Sequence, residues 1–117
     1  MSAAPWRRSR RGALTNSVVH KAEFELLEAE RSRVSGVLHF TTVTALLSEG
    51  SAAICNGRAA VIDLAGVEDS DSSGLALLIE WLSIARASSR TLRYENIPAQ
   101  LHQLARLSDV EELLTVS

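Results

Sequence analysis

No stretch of this chain reaches the roughly 18 consecutive apolar residues that a membrane-crossing helix needs. The amino terminus also lacks the apolar segment of a secretory signal. "SRRGAL" holds paired arginines, but polar "TNSVVHKAEFE" follows where an export signal would be hydrophobic. A cytoplasmic protein without direct membrane insertion is expected. A single cysteine, Cys55, excludes an intrachain disulfide and a cysteine zinc cluster and suits a reducing compartment. It is expected to be a small core residue. His20, His39 and His102 lack the i, i+4 spacing that sets two imidazoles on one helical face, so no metal site is expected. G-x-S-x-G, G-x-x-x-x-G-K-[ST] and G-x-G-x-x-G are all missing, which leaves a serine nucleophile and a familiar nucleotide site without support. No catalytic residue and no cofactor are expected.

What is there is one domain's worth of chain: 117 residues, 46% hydrophobic, enough to bury one core. The net charge of −2 hides an asymmetry. Residues 1–21 hold five cations (Arg7, Arg8, Arg10, Arg11, Lys21) and no acid, whereas the remainder carries seven cations against fourteen acids, a net of −7. An acidic body repels phosphate backbones, so nucleic acid is not an expected partner. The basic "RRSRR" stretch reads as part of a solvated, disordered tail over 1–21, with the folded domain over 22–117.

"FELLEAE" and "SRVSGVLHF" read as two antiparallel strands at one sheet edge, separated by polar "ERS", with Gly36 a bulge or turn point. In "TTVTALLSEGSAAICNG", Val43, Leu46 and Leu47 follow helical spacing, threonines can cap the start, and Asn56-Gly57 stops the helix; Gly50 is a point of interruption. "RAAVIDLAGV" reads as a central strand buried on both faces. After a polar connection, "SGLALLIEWLSIARAS" is the strongest helix, and "TLRYENI" returns as a strand. Pro98 opens "PAQLHQLARLS", where Leu101, Leu104, Ala105 and Ser108 keep the helical period; "VEELLTVS" is helical or irregular. Helices that alternate with the later strands predict an α/β fold, a small mixed sheet with crossover helices packed on it.

The stretch "SDSSGLALLIEW", residues 70–81, lies where that central strand gives way to the strongest helix. This is the sheet edge where ligands and partners of open α/β folds tend to bind. Asp71 or Ser72 can accept a hydrogen bond from the free amides of the first turn. Capping does not explain Gly74, which costs about 0.5 to 1 kcal/mol of helix propensity relative to alanine and so points to a close approach. A phosphate on Ser72 would meet the helix N-terminus, but Glu68, Asp69 and Asp71 would repel it. Leu75, Leu78, Leu82 and Ala85 make one apolar stripe along the helix, and Leu77, Trp81 and Ile84 make a second. If the first meets the sheet, the second is free either for a partner, with Trp81 as anchor and Glu80 and Arg86 at the rim, or for burial against a neighbouring helix.

"VIDLAGVEDSDSSGLALLIEW" resembles the signature of STAS domains, the family of anti-sigma factor antagonists. In that signature a strand ending in Asp-Leu, here Asp63-Leu64, precedes Asp-Ser-Ser-Gly-Leu at a helix start, here Asp71 to Leu75. The likeness runs from about Phe24 to Leu114. "SGLALLIEWLSIAR" and "LRYENIPAQLHQLARLSDVEELL" resemble the MlaB-like subgroup, which serves phospholipid transport in Gram-negative bacteria. That resemblance implies a non-catalytic subunit bound to the ATPase of an ABC transporter, cytoplasmic and peripheral to the inner membrane. The alternative it implies is an antagonist in a partner-switching cascade whose partner is an anti-sigma factor kinase. By resemblance Ser72 is the phosphoacceptor or partner-contact position and Asp71, Ser73 and Gly74 are its motif flanks. The chain departs from the family at Asp69 and Ser70, where apolar or basic residues are usual.

Overall fold

A computed structural model describes residues 21–115, so all of the expected tail over 1–21 except Lys21 lies outside the described residues. Four strands and four helices follow the order β1 (Ala22–Leu26), β2 (Arg31–Leu38), α1 (Phe40–Cys55), β3 (Val61–Ser70), α2 (Ser72–Ala87), β4 (Arg93–Glu95), α3 (Ala99–Leu107) and α4 (Glu111–Thr115). The sheet order is β1-β2-β3-β4. β1 and β2 pair antiparallel, whereas β2 with β3 and β3 with β4 pair parallel. The parallel pairs are joined by α1 and α2, the crossovers that parallel pairing requires. The mixed α/β architecture thus agrees with the expectation.

The β1–β2 hairpin turns on an unusual pair. Arg31 N donates to Glu28 O at 3.2 Å, and both central residues lie in the left-handed region, Ala29 at φ 59 and Glu30 at φ 61. This is the type I′ geometry that matches strand twist, normally supplied by Asn-Gly. Here two residues with side chains adopt it. In β2, Gly36 at φ 94 sits at a register shift, where an added Cβ would collide with the Lys21 carbonyl.

Residues on one face of the sheet alternate into the core: Ser32, Val34 and Leu38 of β2, Ile62 and Leu64 of β3, Tyr94 of β4. β3 was expected to be buried on both faces, and it is not. Its other face belongs to a cross-strand row Glu25, Arg33, Asp63, Glu95, in which each carboxylate or guanidinium sits opposite the next strand's residue. Arg33 pairs with Glu25 at 3.5 Å, and Glu95 takes Arg31 and, at 3.1 Å, Arg93. The stretch "VIDLA" at the start of β3 holds its acid on this ion-paired surface, so a run that looks continuously apolar still alternates.

α1 runs unbroken through Gly50, because the missing side chain makes room for the Trp81 indole, which a Cβ there would strike. Its cap is His39, with Thr42 Oγ1 accepting from His39 N at 3.0 Å, rather than one of the threonines. Cys55, expected in the core, is exposed at the C-terminal end of α1, 3.3 Å from Ser88 Oγ, while its neighbour Ile54 takes the buried position.

α2 is the centre of the packing. Leu75, Leu78 and Ala85 are buried, as are Leu77 and Trp81 of the second stripe, and Ile84 and Leu82 are half-buried. Trp81 has no exposed surface. Its ring meets Phe24 edge-on with centroids 5.8 Å apart, and its Nε1 points to Leu47 O at 3.4 Å. The placement of Leu77 and Trp81 as partner anchors is therefore corrected: α1 covers that stripe, and both residues belong to the core. Tyr94 Oη donates to Leu78 O at 2.6 Å from beneath, and burial raises its phenol well above the ordinary value.

Candidate functional site

The polar connection expected before α2 is mostly strand. β3 continues through Asp69 and Ser70, leaving Asp71 alone between strand and helix. Asp71 N donates to Leu38 O at 3.1 Å, so the ladder to β2 holds the junction to its last residue. Asp71 is then the N-cap, with Oδ1 accepting from Ser73 N at 2.8 Å. Such a cap contributes about 1 kcal/mol.

Ser70 and Gly74 explain each other. Ser70 is buried beneath the first turn of α2, its Oγ donating to Asp71 O at 3.0 Å. A Cβ on Gly74 would land on that oxygen and would come 3.0 Å from the Leu38 Cβ. The glycine therefore answers to the protein's own interior: strand end and helix start cross too closely for a side chain.

Asp69 anchors the junction laterally. Its Oδ1 accepts from Gln100 Nε2 at 3.0 Å and its Oδ2 lies 3.0 Å from His39 Nε2, while Gln100 Oε1 accepts from Ser70 N at 3.0 Å. The Gln100 and His39 hydrogen bonds hold the Asp69 carboxyl below the ordinary carboxylate range. Strand β3, the cap of α1 and the first turn of α3 are thus tied at one point. The polar pair Asp69-Ser70 seats the junction.

Ser72 stands on this frame as the first residue of α2 with its side chain exposed, and Ser73 is half-buried. Below it the exposed positions Ala76, Glu80, Ser83 and Ala87 continue one face of the helix. Apart from Glu80 these side chains are small, and they leave a low surface running from the Ser72 hydroxyl. Sequence reasoning located Asp71, Ser72, Ser73 and Gly74, which the structure brings together. It missed His39 and Gln100, about thirty residues away on either side, for which no local signal exists: only the sheet order brings them to Asp69. Among the described residues no group of three or more His, Cys, Asp or Glu side chains could hold a metal ion, and no helix is long and apolar enough to cross a membrane.

A mixed sheet with two crossover helices, and a serine motif capped by aspartate at the second, defines a STAS domain, and the chain belongs to that family. The matching family model is the one described as "Mlab, STAS domain", and it spans residues 25–115. No curated protein matches the sequence. Two solved structures share the fold. One is the anti-sigma factor antagonist SpoIIAA in its unphosphorylated form, with TM-score 0.58 and 19% identity over 74% of this chain and 83% of that one. The other is the Bacillus cell fate determinant SpoIIAA in the phosphorylated form, with TM-score 0.58 and 18% identity over 79% of this chain and 86% of that one. STAS domains are in general non-catalytic modules of regulation and interaction that engage partner proteins such as kinases, ATPases and anti-sigma factors.

Proposed function

We propose that the chain is a non-catalytic subunit that binds and supports the ATPase of an Mla-type phospholipid ABC transporter, the kind that maintains outer-membrane lipid asymmetry. It works in the cytoplasm, peripheral to the inner membrane. One observation carries the reading: Ser72 is exposed at the head of a low helical face, on a junction fixed by Asp69, Gln100, Ser70 and Gly74. A surface that is to meet a partner in one orientation gains from being rigid before contact, because less freedom is lost on binding. The match to the MlaB-type family model supports the choice of partner.

Ser72 then makes the central contact and Ala76 and Glu80 extend it. Trp81 supports α2 from behind, packed against Gly50 of α1. Co-purification with the Mla-type ATPase of the same organism tests this. Ser72→Glu, at an exposed position and checked for native folding, should abolish recovery, and undiminished recovery would remove Ser72 from the interface.

A second reading, a phospho-regulated antagonist facing an anti-sigma factor kinase, is favoured by the exposure of Ser72. Ser73 N is already held by Asp71 Oδ1, so a phosphate on Ser72 would find that amide taken and acidic neighbours Asp69 and Asp71 beside it. It would act by adding negative charge to the docking face. Intact-mass measurement of the protein with and without the kinase decides: absence of phosphate on Ser72 under every growth condition removes this reading.

A further inference from the structure

Beside the Ser72 face lies a groove of about 320 Å³ between the first halves of α1 and α2, lined by Val43, Thr44 and Leu47 from one helix and Ala76, Leu77 and Glu80 from the other. Phe40, one turn before Val43 on α1, is 74% exposed. At spacing i, i+3, i+7, Phe40, Val43 and Leu47 share one face of α1, and the last two line the groove. Val43 and Leu47 are half-buried and Leu77 closes the floor. Phe40 stands outside the hydrophobic core.

Among the described residues, the one charged side chain that lines this groove is Glu80. α1 carries Glu49 and no lysine or arginine, and α2 carries none before Arg86 in its last turn. Asp71, the cap of α2, holds the amide of Ser73, which also lines the groove. An apolar slot with an acidic border selects an apolar side chain carried between cations.

We infer that the α1–α2 groove is the second half of the docking surface and that it receives a partner helix presenting an apolar residue flanked by lysine or arginine, with Phe40 packing on that helix. This rests on the reading of Ser72 as a partner contact and adds the chemistry of the partner. The groove lies on the same side as Ser72, so one helix can cover both.

Two experiments on the full chain test it. The first uses a pair of synthetic helical peptides with an identical leucine face, flanked by lysine in one and glutamate in the other. The lysine peptide should bind at least tenfold more tightly and move the amide resonances of Val43, Leu47, Ala76 and Leu77. Equal binding of the two peptides, or shifts confined to another surface, would overturn the inference. The second compares Phe40→Ser and Thr44→Arg, both at exposed positions on α1, with Ser72→Glu in binding the Mla-type ATPase. A loss of tenfold or more in each groove variant is expected, whereas wild-type affinity in both beside a loss in Ser72→Glu would overturn the groove and leave the function standing. If the wild-type protein does not bind that ATPase, the proposed function fails, and the peptide pair alone decides the groove.

Discussion

Trp81 separates a binding residue from a folding residue, and its replacement by alanine tells them apart. The indole has no exposed surface, fills the space left by Gly50 and meets the Phe24 ring at 5.8 Å. Removing a buried tryptophan costs about 3 to 5 kcal/mol through lost transfer and an unfilled cavity, with the aromatic pair part of that loss. Domains of this size unfold with a total of about 5 to 15 kcal/mol, so Trp81→Ala takes a large share. With a urea slope of about 1.5 kcal/mol/M, the midpoint should fall by about 2 to 3 M. Circular dichroism in urea reads this directly. Trp81→Phe keeps most of the packing and should lose roughly half as much. A well-folded Trp81→Ala protein that loses less than about 1 kcal/mol while failing to bind its partner would refute the placement of this residue in the core.

Gly50→Ala is expected to destabilise although alanine is the better helix former: the gain of about 1 kcal/mol in propensity is outweighed by about 1 to 3 kcal/mol of overpacking against the indole, and a raised melting temperature would contradict it. Replacing Ala29-Glu30 by Asn-Gly should stabilise by about 1 to 2 kcal/mol, since both positions hold φ near +60, and an unchanged urea midpoint would mean that the turn relaxes. Asp63, Asp69 and Glu95 are each held below the ordinary carboxylate range, chiefly by hydrogen bonds from Asn96, Gln100 and Arg31 respectively. The unfolded chain therefore binds more protons than the folded one once pH drops toward the unfolded values of about 4. Stability should be full above about pH 5 and fall as acid titrates the folded carboxylates, and urea midpoints measured from pH 7 to pH 3 should show less of this fall in Asp69→Asn.

The order of elements and the place of the motif were legible because they rest on local signals: helical spacing in α2 and α3, the proline before α3, the glycines around the serine motif. The β1–β2 turn was not, because Ala29-Glu30 carries none of the residues that mark a type I′ turn, and the separator was read two residues late. The strand β3 was read as buried on both faces because Asp63 sits inside an apolar run, and its cross-strand neighbours Arg33 and Glu95 are invisible to a local window. The two stripes of α2 were seen, but whether the second faces a partner or α1 depends on a contact with Gly50 that spacing cannot supply. Within the site, Asp71, Ser72, Ser73 and Gly74 were legible and their supports His39 and Gln100 were not. Those supports come from other elements and meet only at Asp69.

The claim that the Ser72 end of α2 is the docking face is tested most directly by titrating the Mla-type ATPase of the same organism calorimetrically with wild-type protein and with Ser72→Glu, both first shown to be equally folded. The account predicts binding by the wild type and none by the variant. Equal affinities for the two would contradict it.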